Sequence, residues 1–115
     1  MRKIDLHTHS FFSDGSMSPT ELLFHAKEVG LSALALTDHD TVAGIPEAER
    51  AAKENGIEFV PGVEFSTEGI SQVHILGYYI DSSDTSLTEA FRLQQEERKE
   101  NHRAYMKGLR ARGFP

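Results

Sequence analysis

The run Leu31-Ser32-Ala33-Leu34-Ala35-Leu36 carries apolar side chains at odd and even positions alike and is bounded by helix signals on either side. A strand that is apolar on both faces has to be covered on both, as in the parallel sheet of an α/β protein. Ahead of it, Ser18-Pro19-Thr20-Glu21 has the form of a helix start, with Ser as N-cap, Pro at the first helical position and Glu closing a capping box. Leu22, Leu23, Ala26 and Val29 supply the apolar stripe, and Gly30 is the expected stop. Behind it, a second helix is predicted from Ile45 to Asn55, stopped by Gly56. Residues 2–8 read as the first strand, 57–64 as a third that Pro61 interrupts late, and 73–80 as a fourth. A last helix is predicted from Asp84 to about Arg112, before Gly113. Strands alternating with helices at these spacings predict βαβ units and an open parallel sheet.

A length of 115 residues allows one small domain, and 38% apolar content fits an ordinary globular one. The opening Met-Arg-Lys-Ile-Asp-Leu-His has no apolar signal region, and no run is long enough to span a membrane, so no membrane partner is expected. The absence of cysteine excludes thiolate ligands and disulfides and fits a cytoplasmic protein. A formal charge of -6 argues against broad electrostatic adhesion to nucleic acid or anionic membrane, yet leaves a phosphate substrate open, because bound cations reverse the local field.

Residues with metal-binding chemistry gather where these strands end. His7 and His9, two apart at the end of the first strand, point to the same side, with Ile4, Leu6 and Thr8 facing away. Asp14 in Ser13-Asp14-Gly15 is, taken alone, a turn residue. In Thr37-Asp38-His39-Asp40, His39 alone reads as a loop or capping histidine, and Asp38 and Asp40 as N-caps of the helix that follows. Glu64 alone is an exposed strand-end carboxylate, and His74 a half-buried strand histidine. Together they are four imidazoles and two carboxylates at or near strand ends in a chain of only six histidines. Such a donor set suits Mn, Zn or Fe and tolerates more than one ion. His25, at the edge of an apolar stripe, and His102, on the charged last helix, read as structural. Residues 94–103 contain nothing strongly apolar and read as a solvated face. The alternative is that some of Arg92, Arg98 and Arg103 meet a substrate phosphate.

The stretches Asp5-Leu6-His7-Thr8-His9-Ser10, Ser13-Asp14-Gly15, Leu36-Thr37-Asp38-His39-Asp40-Thr41, Pro61-Gly62-Val63-Glu64 and His74-Ile75-Leu76-Gly77-Tyr78 together resemble the successive motifs of the PHP (polymerase and histidinol phosphatase) domain. The wording is most similar to its stand-alone bacterial phosphoesterases, a branch that takes in 3′,5′-nucleoside bisphosphate phosphatases and 5′→3′ exoribonucleases. The resemblance implies an α/β fold, the N-terminal portion of a distorted (β/α)7 barrel amounting to about four βα units. It implies up to three divalent metal ions. His7 and His9 would hold the first, Glu64 would bridge the first and second, His74 would hold the second, and Asp14 and His39 the third. Asp5 and Asp38 would orient the histidines. The activity implied is hydrolysis of phosphate monoesters or nucleotide ends by a metal-activated hydroxide. Substrates would be phosphorylated small molecules, nucleotides or oligonucleotide ends. Members of the branch are much longer, with their remaining ligands on later strands, so the chain reads as a truncated barrel. An open sheet edge and apolar face then favour a homo-oligomer formed through the sheet or the last helix. The alternatives are a non-catalytic metal-binding or assembly fragment and a histidinol phosphatase.

Overall fold

The computed structural model describes residues 2–67 and 73–114 of the chain. Two compact units divide at Ser83, a sheet-and-helix unit before it and a helical unit after it.

In the first unit the order is β1 (Lys3–Thr8), α1 (Pro19–Glu28), β2 (Leu31–Leu36), α2 (Ile45–Asn55), β3 (Glu58–Ser66) and β4 (His74–Tyr78). The strands form one sheet in the order β1-β2-β3-β4. β1, β2 and β3 are parallel neighbours, as expected for two consecutive βαβ units. The helix signals hold: the Ser18 side chain accepts from the Glu21 amide with Pro19 at the first helical position, and α2 ends on Gly56 in the left-handed conformation. α1 and α2 pack on each other and against β2 and β3. Their seam buries Leu23, Ala26, Ile45, Ala48, Ala51 and Ala52, and Ala33 to Leu36 of β2 are all buried.

The fourth strand departs from the expected parallel sheet. β4 runs antiparallel to β3, with Ser66 opposite His74 and Gly62 opposite Tyr78. Its connection is too short for a crossover helix, which needs a dozen or more residues, so a hairpin is the only return open to it. The amide of Thr67 donates to the Val73 carbonyl at 3.1 Å and closes the hairpin. The sheet is curled, because the Tyr78 hydroxyl, on one edge strand, donates to the Leu6 carbonyl on the other at 2.6 Å.

In the second unit, α3 (Thr85–Ala111) starts on Asp84, whose carboxylate accepts from the Ser86 and Leu87 amides. It stops at Gly113 (φ +90°), where the Phe114 amide donates to the Leu109 carbonyl. Arg92 donates to both Glu89 and Glu96, one turn to either side. These bonds hold the Glu89 carboxyl below its ordinary range and raise Arg92 above its own. Arg92 is thus engaged along its own helix.

Candidate metal centre

The carboxyl ends of β1 to β3 are tied together by backbone bonds that continue past the strands. The Thr37 amide donates to the Thr8 carbonyl at 2.8 Å, and the Thr8 hydroxyl to the Ala35 carbonyl at 2.7 Å. Beyond β2, the Glu64 amide donates to the Asp38 carbonyl and the Asp40 amide to the Glu64 carbonyl, which sets His39 beside Glu64. Gly62 permits this closeness: a Cβ there would lie 2.9 Å from both the Gly77 carbonyl oxygen and the Thr37 methyl. Because β4 is antiparallel, His74 at its start lies at this same end of the sheet.

The outcome is a buried carboxylate ringed by imidazoles. The Glu64 side chain is 6% exposed. Its Oε1 lies 2.5 Å from His7 Nε2 and 3.4 Å from His9 Nε2, and its Oε2 lies 3.3 Å from His74 Nδ1 and 3.5 Å from His39 Nδ1. Asp14 approaches from the other side, with Oδ2 3.2 Å from His39 Nε2 and Oδ1 3.6 Å from His9 Nδ1. The His9 and His39 rings stack at 4.5 Å, only 7° from parallel. Among the described residues, three sets of donor atoms each fall within 4.8 Å of one another: His7, His9 and Glu64; His9, Asp14 and His39; and His39, Glu64 and His74. All six expected site residues are therefore brought together. His25 and His102 belong to none of these sets and are exposed.

A divalent cation fits these residues. His9 Nδ1 is buried with no hydrogen-bond partner, facing a carboxylate oxygen too distant to bond to it. Every donor is an imidazole nitrogen or a carboxylate oxygen, and one buried carboxylate serves four rings, an arrangement in which a cation would satisfy both. The centre opens to solvent along His7, His74 and Asp14, whose side chains are 51%, 40% and 63% exposed.

The neighbouring aspartates act differently from the expectation. Asp38 neither orients a histidine nor caps α2. It is 2% exposed, and its carboxylate accepts from the Ser10 amide (2.6 Å), the Ser10 hydroxyl (2.6 Å) and the Ser13 hydroxyl (2.8 Å). It therefore fixes the loop that presents Asp14. Asp40 is no N-cap either, since that position is Gly44. Its Oδ1 accepts from the Ser66 amide at 2.9 Å while its backbone takes φ +51°. Asp5 accepts from the His7 amide, not from a ring. Ser10 and Ser13 are supporting residues that the sequence pattern does not single out. The only trace of them in sequence is a pair of hydroxyls flanking the loop before Asp14, opposite an aspartate far along the chain.

Fold and site define an α/β protein with an imidazole and carboxylate cluster at one end of its sheet. The PHP domain family model matches residues 5–112, and the chain belongs to that family. It is 50% identical over 95 residues to a 5′-3′ exoribonuclease of Haemophilus influenzae, covering 82% of this chain and 35% of that protein. It is 42% identical over 115 residues to a 3′,5′-nucleoside bisphosphate phosphatase of Chromobacterium violaceum, covering 99% of this chain and 40% of the relative. Among solved structures, a Chromobacterium violaceum protein described as an amidohydrolase, with bound sulfate and no metal, superposes with a TM-score of 0.83 at 42% identity, over 97% of this chain and 40% of its own. A Bifidobacterium adolescentis structure assigned as a metal-dependent phosphoesterase also gives 0.83, at 31% identity, over 99% of this chain and 40% of its own. The chain thus spans about two fifths of the length of these relatives and corresponds to the N-terminal part of the PHP barrel.

Proposed function

We propose that the chain is the metal-binding N-terminal part of a metal-dependent phosphoesterase that acts on nucleotides or RNA ends. The observation that carries this reading is Glu64, a buried carboxylate offering one oxygen to His7 and His9 and the other to His39 and His74. His7, His9 and Glu64 would hold one divalent ion and His39, Glu64 and His74 a second, with Asp14 joining His9 and His39 around a further position. Bound Mn, Zn or Fe would supply positive charge for phosphoryl oxygens and acidify water. The protein's own part is to fix the donors: Glu64 by its backbone pairing to the β2 extension, and Asp14 through the Asp38-held loop. The named activities of the relatives favour a nucleotide over histidinol phosphate.

A second reading has a specific observation behind it. The chain matches only about two fifths of its relatives, which favours a metal-binding or assembly fragment without turnover of its own. In either reading a homo-oligomer would cover β1, an edge strand on which Ile4 is 58% and Leu6 38% exposed. Cysteine-free composition suits the cytoplasm. Phosphate release from a 3′,5′-bisphosphonucleotide and from histidinol phosphate, with added Mn²⁺, decides between these readings. Turnover of the nucleotide supports the phosphoesterase, turnover of histidinol phosphate alone moves the substrate, and turnover of neither leaves the fragment reading. A monodisperse monomer in light scattering would count against self-association.

A further inference from the structure

The loop that presents Asp14 also presents two aromatic rings that the metal centre does not use. Phe11 and Phe12 are 55% and 43% exposed, and their rings meet edge to face at 5.0 Å. An apolar pair left facing water beside a polar site calls for an explanation. The loop is held firmly. The Phe11 amide donates to the Met17 carbonyl at 2.8 Å, the Phe12 amide to the Ser10 hydroxyl at 3.2 Å, and Ser10 is itself fully buried on Asp38. Phe12 is seated against Gly44, where an added Cβ would come within 3.1 Å of its ring. Gly44 follows the Thr37–Asp40 run, so this seat lies at the same end of the sheet as the metal donors. Phe11 then meets Phe12 edge to face, two residues from His9 and three from Asp14, with its backbone amide anchored to Met17.

We infer that Phe11, braced by Phe12, is a stacking platform for the base of a nucleotide whose phosphate is held at the metal centre. The inference rests on the phosphoesterase reading and adds what selects the substrate. Every base offers a π-face to a rigid aromatic ring, so the platform is sequence-tolerant and favours the larger purine. It gives nothing to a phosphate ester that lacks an aromatic base.

The test is calorimetric titration of the Mn²⁺-loaded full chain with adenosine 5′-monophosphate and with ribose 5-phosphate, for the parent chain and for Phe11→Ala, Phe11→Leu and Phe11→Trp. The nucleotide should bind about ten-fold tighter than the sugar phosphate. Phe11→Ala and Phe11→Leu should remove that advantage and leave ribose 5-phosphate unchanged, and Phe11→Trp should keep it. Equal affinity for the two ligands in the parent chain overturns the platform while sparing the phosphoesterase reading. So does a Phe11→Ala change that weakens both ligands alike. Binding of neither ligand overturns the phosphoesterase reading and the platform with it.

Discussion

Replacing Asp38 should uncouple the Asp14 loop from the sheet. In Asp38→Ala, the amide of fully buried Ser10 loses its acceptor, as do the Ser10 and Ser13 hydroxyls. A buried donor left unpaired costs about 1–3 kcal/mol, and a hydrogen bond to a charged group contributes about 1.5–3 kcal/mol. These terms overlap, and removing the carboxylate also removes its own desolvation penalty, so a net loss of about 3 kcal/mol is expected. That is a large share of the ~5–15 kcal/mol typical of a domain. Asp38→Asn should cost only about 1 kcal/mol, because its amide oxygen still accepts from the Ser10 amide and its NH2 donates to a Ser10 hydroxyl that rotates to accept. Urea unfolding followed by circular dichroism at constant m-value measures both. Ser10→Ala should cost less in the Asp38→Ala background than alone, the sign of a shared network. If Asp38→Ala is neutral, or if Asn is as damaging as Ala, acceptor geometry is not what holds the loop.

Gly15→Ala should be severely destabilising, by about 2–4 kcal/mol, because its Cβ would lie 2.3 Å from the His9 carbonyl oxygen and the backbone would have to move; thermal unfolding checks this. His25→Ala and His102→Ala should leave metal retention unchanged by elemental analysis, since neither falls in any of the donor sets. The hydrogen bond from Arg92 holds the Glu89 carboxyl below its ordinary range. Its small support of α3 is therefore complete above the unfolded carboxylate pKa and lost as pH falls through the lowered folded one. Far-ultraviolet dichroism should show a slight acid loss of helicity that Arg92→Ala abolishes.

Much of this molecule was legible from local chemistry. Ser18-Pro19 and Gly56 punctuate helices through their own backbone needs, and the structure keeps α1 and α2 within them. The gathering of all six candidate residues was legible too, because strand ends are where an α/β sheet gathers side chains. Strand direction was not, since alternation of side chains is the same for a parallel or an antiparallel neighbour. The brevity of the connection between Ser66 and His74 was the available clue. The role of Asp38 stayed hidden because its partners are twenty-five and twenty-eight residues away, and only tertiary structure brings Ser13 and Ser10 to it. Local reading instead favoured a helix cap for Asp38 and Asp40, a role that the run of residues 41–44 before α2 puts out of reach.

The central claim is that Glu64 and its four imidazoles form a metal centre in this chain. Elemental mass spectrometry on dialysed, untagged protein, beside Glu64→Gln of equal fold by circular dichroism, tests it most directly. The account predicts about one or more equivalents of Mn, Fe or Zn per parent chain and loss of most of it in Glu64→Gln, because Glu64 belongs to two of the three donor sets found among the described residues. A folded, metal-free parent chain, or a Glu64→Gln variant that retains as much metal as the parent, would contradict it.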